Sequence, residues 1–525
     1  MRYLSNKPIR LSVLGISGIL LALSVMFPAL GGLSWFAAIP FSLVLFLSLE
    51  REMPWKARLF ELAVFFGAYF LTMYHWVFAM YPMEFLGIPP VAAAVVVVVA
   101  WLGLPLLQVI PAVLLFLLWK PLASTPFAKK HKLCLPFLAA ALWVLLEWVS
   151  TLTWLGVPWS RLALGQVNML AVLQTASLFG SYFITFLIVS VNFLLGYAIF
   201  YRKKAVLAIP IALFAVNLIV GGVMLSGMDV EQGEPVRVAA IQGNASSKEK
   251  WDPDSFLDML ERHRELTAEA CEGGAEIVLW TESTIPDVLT GMPATQSYIG
   301  QSATQGNCLL LVGAFDIDGN GKQYNATFLF DREGKLSLDR YYKRRLVPFG
   351  EYIPMRAFIE VVIPPLADLN ALGEDLSAGE GSNLIDTEYG KIGAIICFDS
   401  IYEELARVSV KDGAELIVLL TNDSWFLGSV ALSMHNSQAI LRAVENGRYV
   451  VRSANTGISS VISPTGEVIA SLGAKRTGYL CEDVYMRSDL TFYTRTGNLF
   501  VLLCGVYATL MLGVYAIDKK KKAVA

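Results

Sequence analysis

The sequence predicts an α-helical membrane domain joined to an α/β domain of ordinary globular composition. Of the 525 residues, 55% are hydrophobic and 16% are charged, which is too apolar for a soluble protein and indicates several membrane spans. Residues 227–495 have instead a normal balance of polar and apolar residues, and short β-type runs alternate there with helical ones. Such alternation is typical of a layered α/β domain with largely buried strands.

Eight apolar runs, each of roughly 17 to 30 residues, are long enough to cross a hydrocarbon core of about 30 Å. The first run follows Arg2, Lys7 and Arg10, which is also the charge pattern of a secretory signal. Seven further runs follow, and no small-x-small cleavage site leads into a soluble domain, so an uncleaved first helix is favoured. The runs lie near 11–27, 32–49, 59–81, 90–119, 133–153, 171–200, 206–226 and 498–516.

Lysine and arginine divide unequally between the two sides of these spans. If the N-terminus is cytoplasmic, the connections on the outer side carry Arg161 alone. Because lysine and arginine in short loops favour the cytoplasm, the sequence predicts seven helices in 1–226, an extracytoplasmic domain at 227–495, and an eighth helix with a basic cytoplasmic tail at 496–525. The inner connections and the tail carry Arg51, Lys56, Arg58, Lys120, Lys129, Lys130, Lys132, Arg202, Lys203, Lys204 and Lys519 to Lys522.

Charge and cysteine content limit the classes of partner. The formal net charge is −3, and because no basic patch stands outside the membrane flanks, we expect no nucleic acid partner. Six cysteines without tight spacing do not indicate a disulfide framework, although a disulfide in the outer domain stays possible in an oxidising compartment. The four histidines are scattered without metal-ligand spacing, so we expect no metal and no cofactor. We expect a monomer.

The α/β domain is predicted to contain helices near 253–273, 401–411 and 431–447. A turn rich in Asp, Gly and Asn, "DIDGNG", is predicted between two of its strands. That stretch begins like a calcium loop, but Thr327 stands where the bidentate carboxylate would be required, so a turn is favoured. The predicted strands are 236–242, 276–281, 308–315, 325–330, 391–398 and 415–420, followed by "RYVVRSA", "GISSVIS" and "EVIASL".

Three polar residues stand beside apolar strands and carry candidate chemistry: Glu282 after "IVLWT", Lys343 in "YYKRRLVPFGEYIP" and Cys397 at the end of "GAIIC". Taken singly, each has an ordinary explanation, because strand-end charges are usually solvated and a lone cysteine usually packs in a core. Taken together they form a nucleophile, a base and a cation. A Ser-His-Asp triad is disfavoured because the G-x-S-x-G elbow is missing.

Such a set supports acyl transfer through a covalent intermediate. The thiolate is the reactive form of cysteine, and Glu282 is placed to take its proton and return it to a leaving group. Lys343 and the backbone N–H after Cys397 would stabilise the oxyanion of the tetrahedral intermediate.

The segments "WTEST", "YYKRRLVPFGEYIP", "ICFDS" and "TNDSWF", in this order, resemble the nitrilase superfamily. That resemblance implies an α-β-β-α sandwich with a Glu-Lys-Cys triad. With the spans before and after the domain, and with "GVPW" and "RAVENGRYVVRSANTGISSVI", the whole chain is similar to the apolipoprotein N-acyltransferase family.

The resemblance places the triad on Glu282 as general base and acid, Lys343 as oxyanion stabiliser and Cys397 as nucleophile. It also implies supporting or substrate-binding roles for Glu351, Trp251, Trp425, Phe398 and Asp399.

The sequence departs from the family at two places. Phe398 and Asp399 stand where the family often has Tyr-Glu after the nucleophile, and Arg345 stands where His or Gln is common.

The resemblance implies a two-step reaction at the bacterial inner membrane. Cys397 would take an acyl chain from a phospholipid, and the α-amine of a diacylglyceryl-cysteine at the N-terminus of an apolipoprotein would then attack the thioester. A membrane-tethered amidase, in which water resolves the thioester, and a non-catalytic scaffold are the alternatives. The seven spans before the domain favour a lipid donor, and the intact triad disfavours a scaffold.

Two features of the sequence leave alternatives open. Residues 356–373 are rich in apolar side chains and read either as a segment packed on the sandwich or as a mobile lid that admits acyl chains. Inside the spans, Glu147 and His75 are ionisable groups and thus functional candidates, although a structural hydrogen bond between helices is favoured for them.

Overall fold

The computed structural model describes residues 3–51, 53–83, 89–154, 156–246, 249–250, 252–362 and 375–524. The chain divides into two compact units. The first, here the membrane unit, comprises Met1–Phe78, Val96–Gly227 and Thr496–Ala525, and the second, the α/β unit, comprises Ala79–Val95 and Met228–Arg495.

The membrane unit is built of apolar helices. Seven helices of the described chain are long and apolar enough to cross a bilayer. The helix at Cys134–Val149, predicted as a span, has 16 residues, and the predicted run 171–200 is interrupted at Gly180, whose φ of 76° favours glycine. The bounds of the main helices are Lys7–Met26, Ile39–Glu50, Trp55–Met73, Pro90–Leu117, Cys134–Val149, Ser181–Phe200, Ala208–Gly227 and Leu499–Val524.

Shorter helices connect these elements. Turns of 3₁₀ helix precede or follow several of them, including His75–Met80 after the third long helix and Lys204–Leu207 before the seventh. Short α-helices of the described residues include Ser34–Ala37, Trp119–Ala123, Pro126–Lys130, Leu170–Leu173, Ala176–Phe179 and Phe492–Thr496.

Small residues and buried polar contacts join the membrane helices. A Cβ at Gly18 would lie 2.5 Å from the Phe65 carbonyl oxygen, so the first and third long helices approach as closely as small residues allow. Arg10 Nε donates to Glu61 Oε1 across the same helix pair at 2.6 Å.

Glu147 makes the helix-to-helix hydrogen bond that the sequence analysis favoured. Its Oε2 accepts from the Thr185 hydroxyl of Ser181–Phe200 at 2.8 Å, and its Oε1 accepts from the Leu162 backbone N–H at 3.0 Å. His75 is exposed, and its Nδ1 lies 2.9 Å from the Thr72 carbonyl oxygen in the preceding helix. Glu147 is therefore part of the packing of the membrane unit.

Within the described residues, the α/β unit contains a β-sheet of seven strands and a β-sheet of six strands. The first has the order β13-β1-β2-β4-β5-β6, with β3 paired to β4, and the second has the order β12-β11-β10-β9-β8-β7. The strands are β1 Pro235–Gln242, β2 Ile277–Leu279, β3 Ile285–Val288, β4 Leu309–Ile317, β5 Gln323–Phe330, β6 Leu336–Tyr342, β7 Ile385–Thr387, β8 Gly390–Ile396, β9 Leu416–Thr421, β10 Val450–Ala454, β11 Ser459–Ile462, β12 Val468–Leu472 and β13 Gly478–Tyr485.

Central strands of both sheets run parallel, which explains their continuous apolar sequences. β1, β2 and β4 are parallel neighbours in one sheet, and β8, β9 and β10 are parallel neighbours in the other. Residues from both sheets, such as Leu279 and Val418, share one buried core between them. The fold class is therefore the predicted sandwich, because strands buried on both faces need helices outside them.

The outer faces of the two sheets carry the helices. Pro253–Glu272 and Pro293–Gly306 contribute buried side chains to the core on the outer face of the first sheet. Glu403–Lys411 and Ala431–Asn446 pack against β8 and β10 of the second sheet. A further helix, Arg356–Val362, follows the "PFGEY" segment.

The sequence analysis did not predict β3, β6, β7, β13 or the helix Pro293–Gly306. The "DIDGNG" turn is present as predicted: the Asp318 carboxylate accepts from the backbone N–H groups of Asn320 and Lys322 at 2.8 and 2.9 Å. β13 pairs antiparallel with β1, with Val236 opposite Val484. A pairing across that sequence separation has no local signal.

Candidate active site

Cys397 stands where β8 ends and a short 3₁₀ helix, Cys397–Ile401, begins. Its backbone has a φ of +47°, a left-handed conformation that costs on the order of 1–3 kcal/mol for a residue with a side chain. Cys397 is half-buried. The strained turn lifts the thiol out of the strand, as a nucleophile requires.

Glu282 and Lys343 meet as the sequence predicted. Lys343, directly after β6, donates from Nζ to Glu282 Oε1 at 2.9 Å, and both side chains are buried. The Asn422 backbone N–H, directly after β9, donates to Glu282 Oε2 at 2.8 Å. The carboxylate is thus fixed by groups that follow strands of both sheets.

Glu351 and Asn325 complete this cluster. Lys343 Nζ also donates to Glu351 Oε1 at 2.9 Å, and Asn325 Nδ2 donates to both Glu282 Oε1 and Glu351 Oε1 at 2.9 and 3.0 Å. The Val347 N–H holds Glu351 Oε2 at 2.8 Å. Glu351 therefore orients the lysine rather than standing apart from it, and Asn325 was missed by the sequence analysis.

The charges of this cluster keep the acid and the lysine ionised. Burial alone would raise the pKa of Glu282, but the ammonium groups of Lys343 and Lys250 outweigh it and hold that pKa below its ordinary value. Burial opposes the charge on Lys343, whereas Glu282 and Glu351 raise its pKa well above the usual range. Glu282 is therefore a carboxylate that can accept a proton.

The thiol of Cys397 is protonated in this arrangement. Burial raises its pKa, the Glu282 charge adds to that rise, and Lys343 and a hydrogen bond with Thr421 oppose it. The thiolate is the reactive form of cysteine, so a nucleophilic role for Cys397 would require a base to remove this proton. Glu282 is the carboxylate whose charge acts on Cys397 most strongly.

Lys250 is a second buried ammonium at the site, and the sequence analysis missed it. Its side chain is 2% exposed and its Nζ donates to the Glu282 carbonyl oxygen at 2.9 Å. Burial lowers the pKa of Lys250 to about 8, against the raising effect of Glu282 and Cys397. Its place in "SSKEKW" carries no signal that separates it from a solvated lysine.

Asp399 connects the segment directly after Lys343 with the turn at Cys397. Its Oδ1 accepts from the backbone N–H groups of Arg344 and Arg345 at 3.2 and 2.8 Å, and its Oδ2 accepts from Tyr341 Oη at 2.9 Å and from the Ile396 N–H at 3.1 Å. Burial raises the pKa of Asp399 to about 6. This fully buried residue positions other groups.

The structure describes Phe398 and one of the two tryptophans that were predicted to support the site. Phe398 is half-buried and packs edge to face on Tyr402, with ring centres 5.5 Å apart. Trp425 lies in the 3₁₀ turn Ser424–Phe426 directly after Asp423 and is half-buried. Trp251 lies outside the described residues.

A second buried network lies behind Cys397. His435 Nδ1 is 2.9 Å from Asp423 Oδ1, and His435 Nε2 is 3.2 Å from the Cys397 carbonyl oxygen. Arg452 Nη2 donates to Asp423 Oδ2 at 2.5 Å. Burial opposes the charge on Asp423, but Arg452 and His435 hold its pKa well below the usual range.

The same network contains three side chains of the types that bind metal ions. One ligand atom from each of Cys397, Asp423 and His435 lies within 4.8 Å of the other two. Both Asp423 oxygens already accept hydrogen bonds, and the Arg452 guanidinium would repel a cation. We therefore interpret this group as a support for the turn at Cys397 and not as a metal site.

Gly313 on β4 allows the segment that carries Glu282 to lie close. A Cβ at this position would lie 2.3 Å from the Thr281 carbonyl oxygen and 2.8 Å from Glu282 Cα. A side chain would therefore displace Glu282 from Lys343.

The apolar segment 356–373 is described only in part. In the helix Arg356–Val362, Phe358 and Val361 are 57% and 81% exposed, and Arg356 is paired with Asp375. Residues 363–373 lie outside the described residues, so the lid stays a prediction.

Comparisons with known proteins identify the family. Residues 17–194 match the profile of the apolipoprotein N-acyltransferase N-terminal domain, and residues 237–488 match that of carbon-nitrogen hydrolases. An apolipoprotein N-acyltransferase from Geobacter metallireducens is 31% identical over 524 residues, or 97% of this chain and 95% of the relative. The chain belongs to the apolipoprotein N-acyltransferase family.

Another member of that family, from Gloeobacter violaceus, is 29% identical over 92% of this chain and 89% of its own. Among solved structures, the nitrilase-superfamily protein Nit3 of Saccharomyces cerevisiae is 23% identical and covers 48% of this chain and 91% of its own, with a TM-score of 0.39. The family profiles and the two sheets of the α/β unit confirm the family resemblance and the fold class predicted from the sequence.

Proposed function

We propose that the protein transfers an acyl chain from a phospholipid to the α-amine of the diacylglyceryl-cysteine of an apolipoprotein, through a thioester on Cys397. The observation that carries this proposal is the meeting of Glu282 and Lys343 through Nζ and Oε1 at 2.9 Å beside the strained turn of Cys397. Membership of the family supports lipoprotein N-acylation as the reaction.

In the first step, Glu282 accepts the thiol proton as Cys397 Sγ attacks the ester carbonyl carbon of the donor. Lys343 and a backbone N–H stabilise the oxyanion that forms. When the tetrahedral intermediate collapses, the ester C–O bond breaks and Glu282 protonates the leaving alkoxide, which departs as a lysophospholipid. The acyl group then remains on sulfur.

In the second step, the α-amine of the acceptor attacks the thioester carbonyl. Glu282 takes a proton from the amine nitrogen and passes one to the departing Cys397 sulfur, so that the free thiol is restored and an amide is formed. A thioester is reactive enough to acylate an amine without a further energy source, provided that water is excluded.

We further propose that the α/β domain, residues 227–495, works on the extracytoplasmic side of the bacterial inner membrane as a monomer. The excess of lysine and arginine in alternate connections and in the tail supports this orientation. Acceptor lipoproteins and the donor phospholipid are then both supplied by the bilayer.

The experiment follows the covalent intermediate by mass spectrometry of the full-length protein in detergent with phosphatidylethanolamine. We expect an acyl adduct on Cys397 that disappears when a diacylglyceryl-cysteine peptide is added, with the acyl group recovered on the peptide amine. Cys397→Ala should form no adduct, whereas Cys271→Ala, a matched cysteine change outside the cluster, should behave as wild type.

Two outcomes would contradict the proposal. Full transfer activity in Cys397→Ala would rule out the thioester. Discharge of the adduct by water at the same rate with and without peptide would instead favour the amidase-like hydrolase, the alternative from the sequence.

A further inference from the structure

Two arginines directly follow Lys343, and hydrogen bonds fix their backbone against the turn at Cys397. The backbone N–H groups of Arg344 and Arg345 both donate to Asp399 Oδ1, and Asp399 Oδ2 accepts from the Ile396 N–H, one residue before Cys397. The Asp399 carboxylate therefore fixes both the backbone of the two arginines and the backbone directly before Cys397.

The Arg345 side chain reaches the residues around Cys397 through aromatic rings. Its guanidinium carbon lies 4.8 Å from the centre of the Tyr402 ring. Tyr402 in turn packs on Phe398, the neighbour of Cys397. A guanidinium over an aromatic face keeps its N–H donors in its own plane, so that they can bind an anion at its edge.

Neither guanidinium is neutralised within the part of the chain that the structure describes. No carboxylate pairs with Arg344 or Arg345 there, and Arg344 Nη1 is buried without a hydrogen-bond partner. The nearby carboxylates Glu282 and Glu351 are already bound by Lys343. Because an unpaired half-buried cation is costly, these two residues are suited to an anion supplied by a ligand.

We propose that Arg344 and Arg345 bind the phosphate group of the phospholipid acyl donor. This inference rests on the proposed function. In a phospholipid, only the glycerol backbone separates the phosphate from the ester that Cys397 attacks, so a phosphate site has to lie beside the nucleophile. The guanidinium fork matches two phosphate oxygens, and such charge-assisted pairs are stronger than neutral hydrogen bonds.

The two half-reactions should then differ in their dependence on the arginines. The phosphate enters with the donor and leaves with the lysophospholipid, whereas the diacylglyceryl-cysteine acceptor carries no phosphate. Loss of a guanidinium should therefore weaken thioester formation and leave transfer from a formed thioester to the amine unchanged.

The test measures the initial rate of thioester formation by full-length protein with phosphatidylethanolamine and, separately, with a phosphate-free p-nitrophenyl ester. For Arg345→Gln and Arg344→Gln we expect KM for phosphatidylethanolamine to rise roughly tenfold to a hundredfold, the range of a hydrogen bond to a charged group. The p-nitrophenyl ester should be used at the wild-type rate, which also shows that the variants are folded.

Three controls sharpen the test. Arg345→Lys keeps the charge without the fork and should recover part of the loss. Arg332→Gln removes an arginine that is paired with Glu388 and should leave both donors unaffected. Inorganic phosphate should compete with phosphatidylethanolamine in wild type and lose that effect in Arg345→Gln.

Other results would overturn the inference. Equal losses with both donors would mean that the arginines only pack around Tyr402. Binding of inorganic phosphate together with an unchanged KM for phosphatidylethanolamine would assign the site to free phosphate. If wild type forms no adduct on Cys397 with either donor, the proposed function fails; if it does and the variants match it, this inference alone fails.

Discussion

Glu147 of the membrane unit and Glu282 of the α/β unit are both buried, and they have different surroundings. Glu147 lies between helices, where a hydroxyl and a backbone N–H take its two oxygens. Glu282 lies at strand ends, where Lys343, Asn325 and a backbone N–H take its oxygens beside a strained cysteine. A buried glutamate near a cation is therefore no sign of catalysis by itself, because the charge of Arg161 also acts on Glu147. Glu282 differs in acting on a cysteine, Cys397.

The largest expected effect is a difference in the rate of thioester formation between variants of these two glutamates. Glu282→Gln keeps the shape but removes the base, so thioester formation should slow by about 10²–10⁴, the usual range for general acid–base catalysis. Glu147→Gln should keep the rate within a few-fold. The measurement is adduct formation on Cys397 by mass spectrometry, and an equal loss in both variants would break the comparison.

The next effect concerns stability of the network behind the nucleophile. Asp423→Asn leaves Arg452 buried and without its anion, which should lower the free energy of unfolding by about 3–5 kcal/mol. Because the pKa of Asp423 is lowered in the folded protein, its contribution is present above its unfolded pKa, about 3.9, and is lost as pH falls through the lower folded value.

Thermal unfolding of the full-length protein in detergent at neutral pH and near pH 3 checks this prediction. The difference between wild type and Asp423→Asn should shrink at the acidic pH. A difference that stays the same at both pH values would show that the pKa of Asp423 is not lowered on folding.

A smaller effect concerns the pH dependence of Lys250. Its pKa of about 8 lies below the unfolded value of about 10.4, so the folded state binds fewer protons between these values. The penalty of burying this ammonium is full below pH 8 and fades as pH rises toward 10.4. The stability of Lys250→Met relative to wild type should therefore be highest near pH 7 and fall toward pH 10.

Unfolding midpoints at the two pH values test that trend, with Lys391→Met as a control that removes the same charge from an exposed position. A difference between wild type and Lys250→Met that is constant with pH would mean that Lys250 does not titrate in this range.

The smallest effect returns to the membrane unit. Thr185→Val removes the hydroxyl that donates to Glu147 Oε2. Hydrogen bonds between membrane helices average about 0.6 kcal/mol, so the unfolding midpoint should fall slightly and thioester formation from a soluble ester should be unchanged. A loss of thioester chemistry in this variant would give Glu147 a part in catalysis after all.

The sequence singles out Glu282, Lys343 and Cys397 through the strand pattern and the family resemblance, and their catalytic roles stay a prediction. Glu282 and Cys397 stand at the ends of apolar strands that the sequence predicts. Lys343 follows β6, which the sequence analysis did not predict, so the family resemblance carries its assignment. The alternation of strands and helices predicted a layered α/β domain, and the family resemblance specified the sandwich.

Asn325, Lys250 and His435 could not be predicted, because their roles depend on pairing between distant segments. Asn325 reaches the lysine through the β5–β6 register, in which the Lys343 N–H donates to the Asn325 carbonyl oxygen at 2.8 Å. Nothing in "NATFLF" states that register. His435 acts through a backbone carbonyl, which every residue possesses, so its position has no distinguishing chemistry in the sequence.

Gly313 has a consequence for how the active site withstands random mutation. It has no functional group, yet a Cβ there would press within 2.8 Å of Glu282 Cα. In a saturation library scored for acyl transfer, substitutions at Gly313 should be depleted almost as strongly as those at Glu282, including the smallest, Gly313→Ala. The position of the Glu282 carboxylate is thus sensitive to a codon that encodes no reactive group at all.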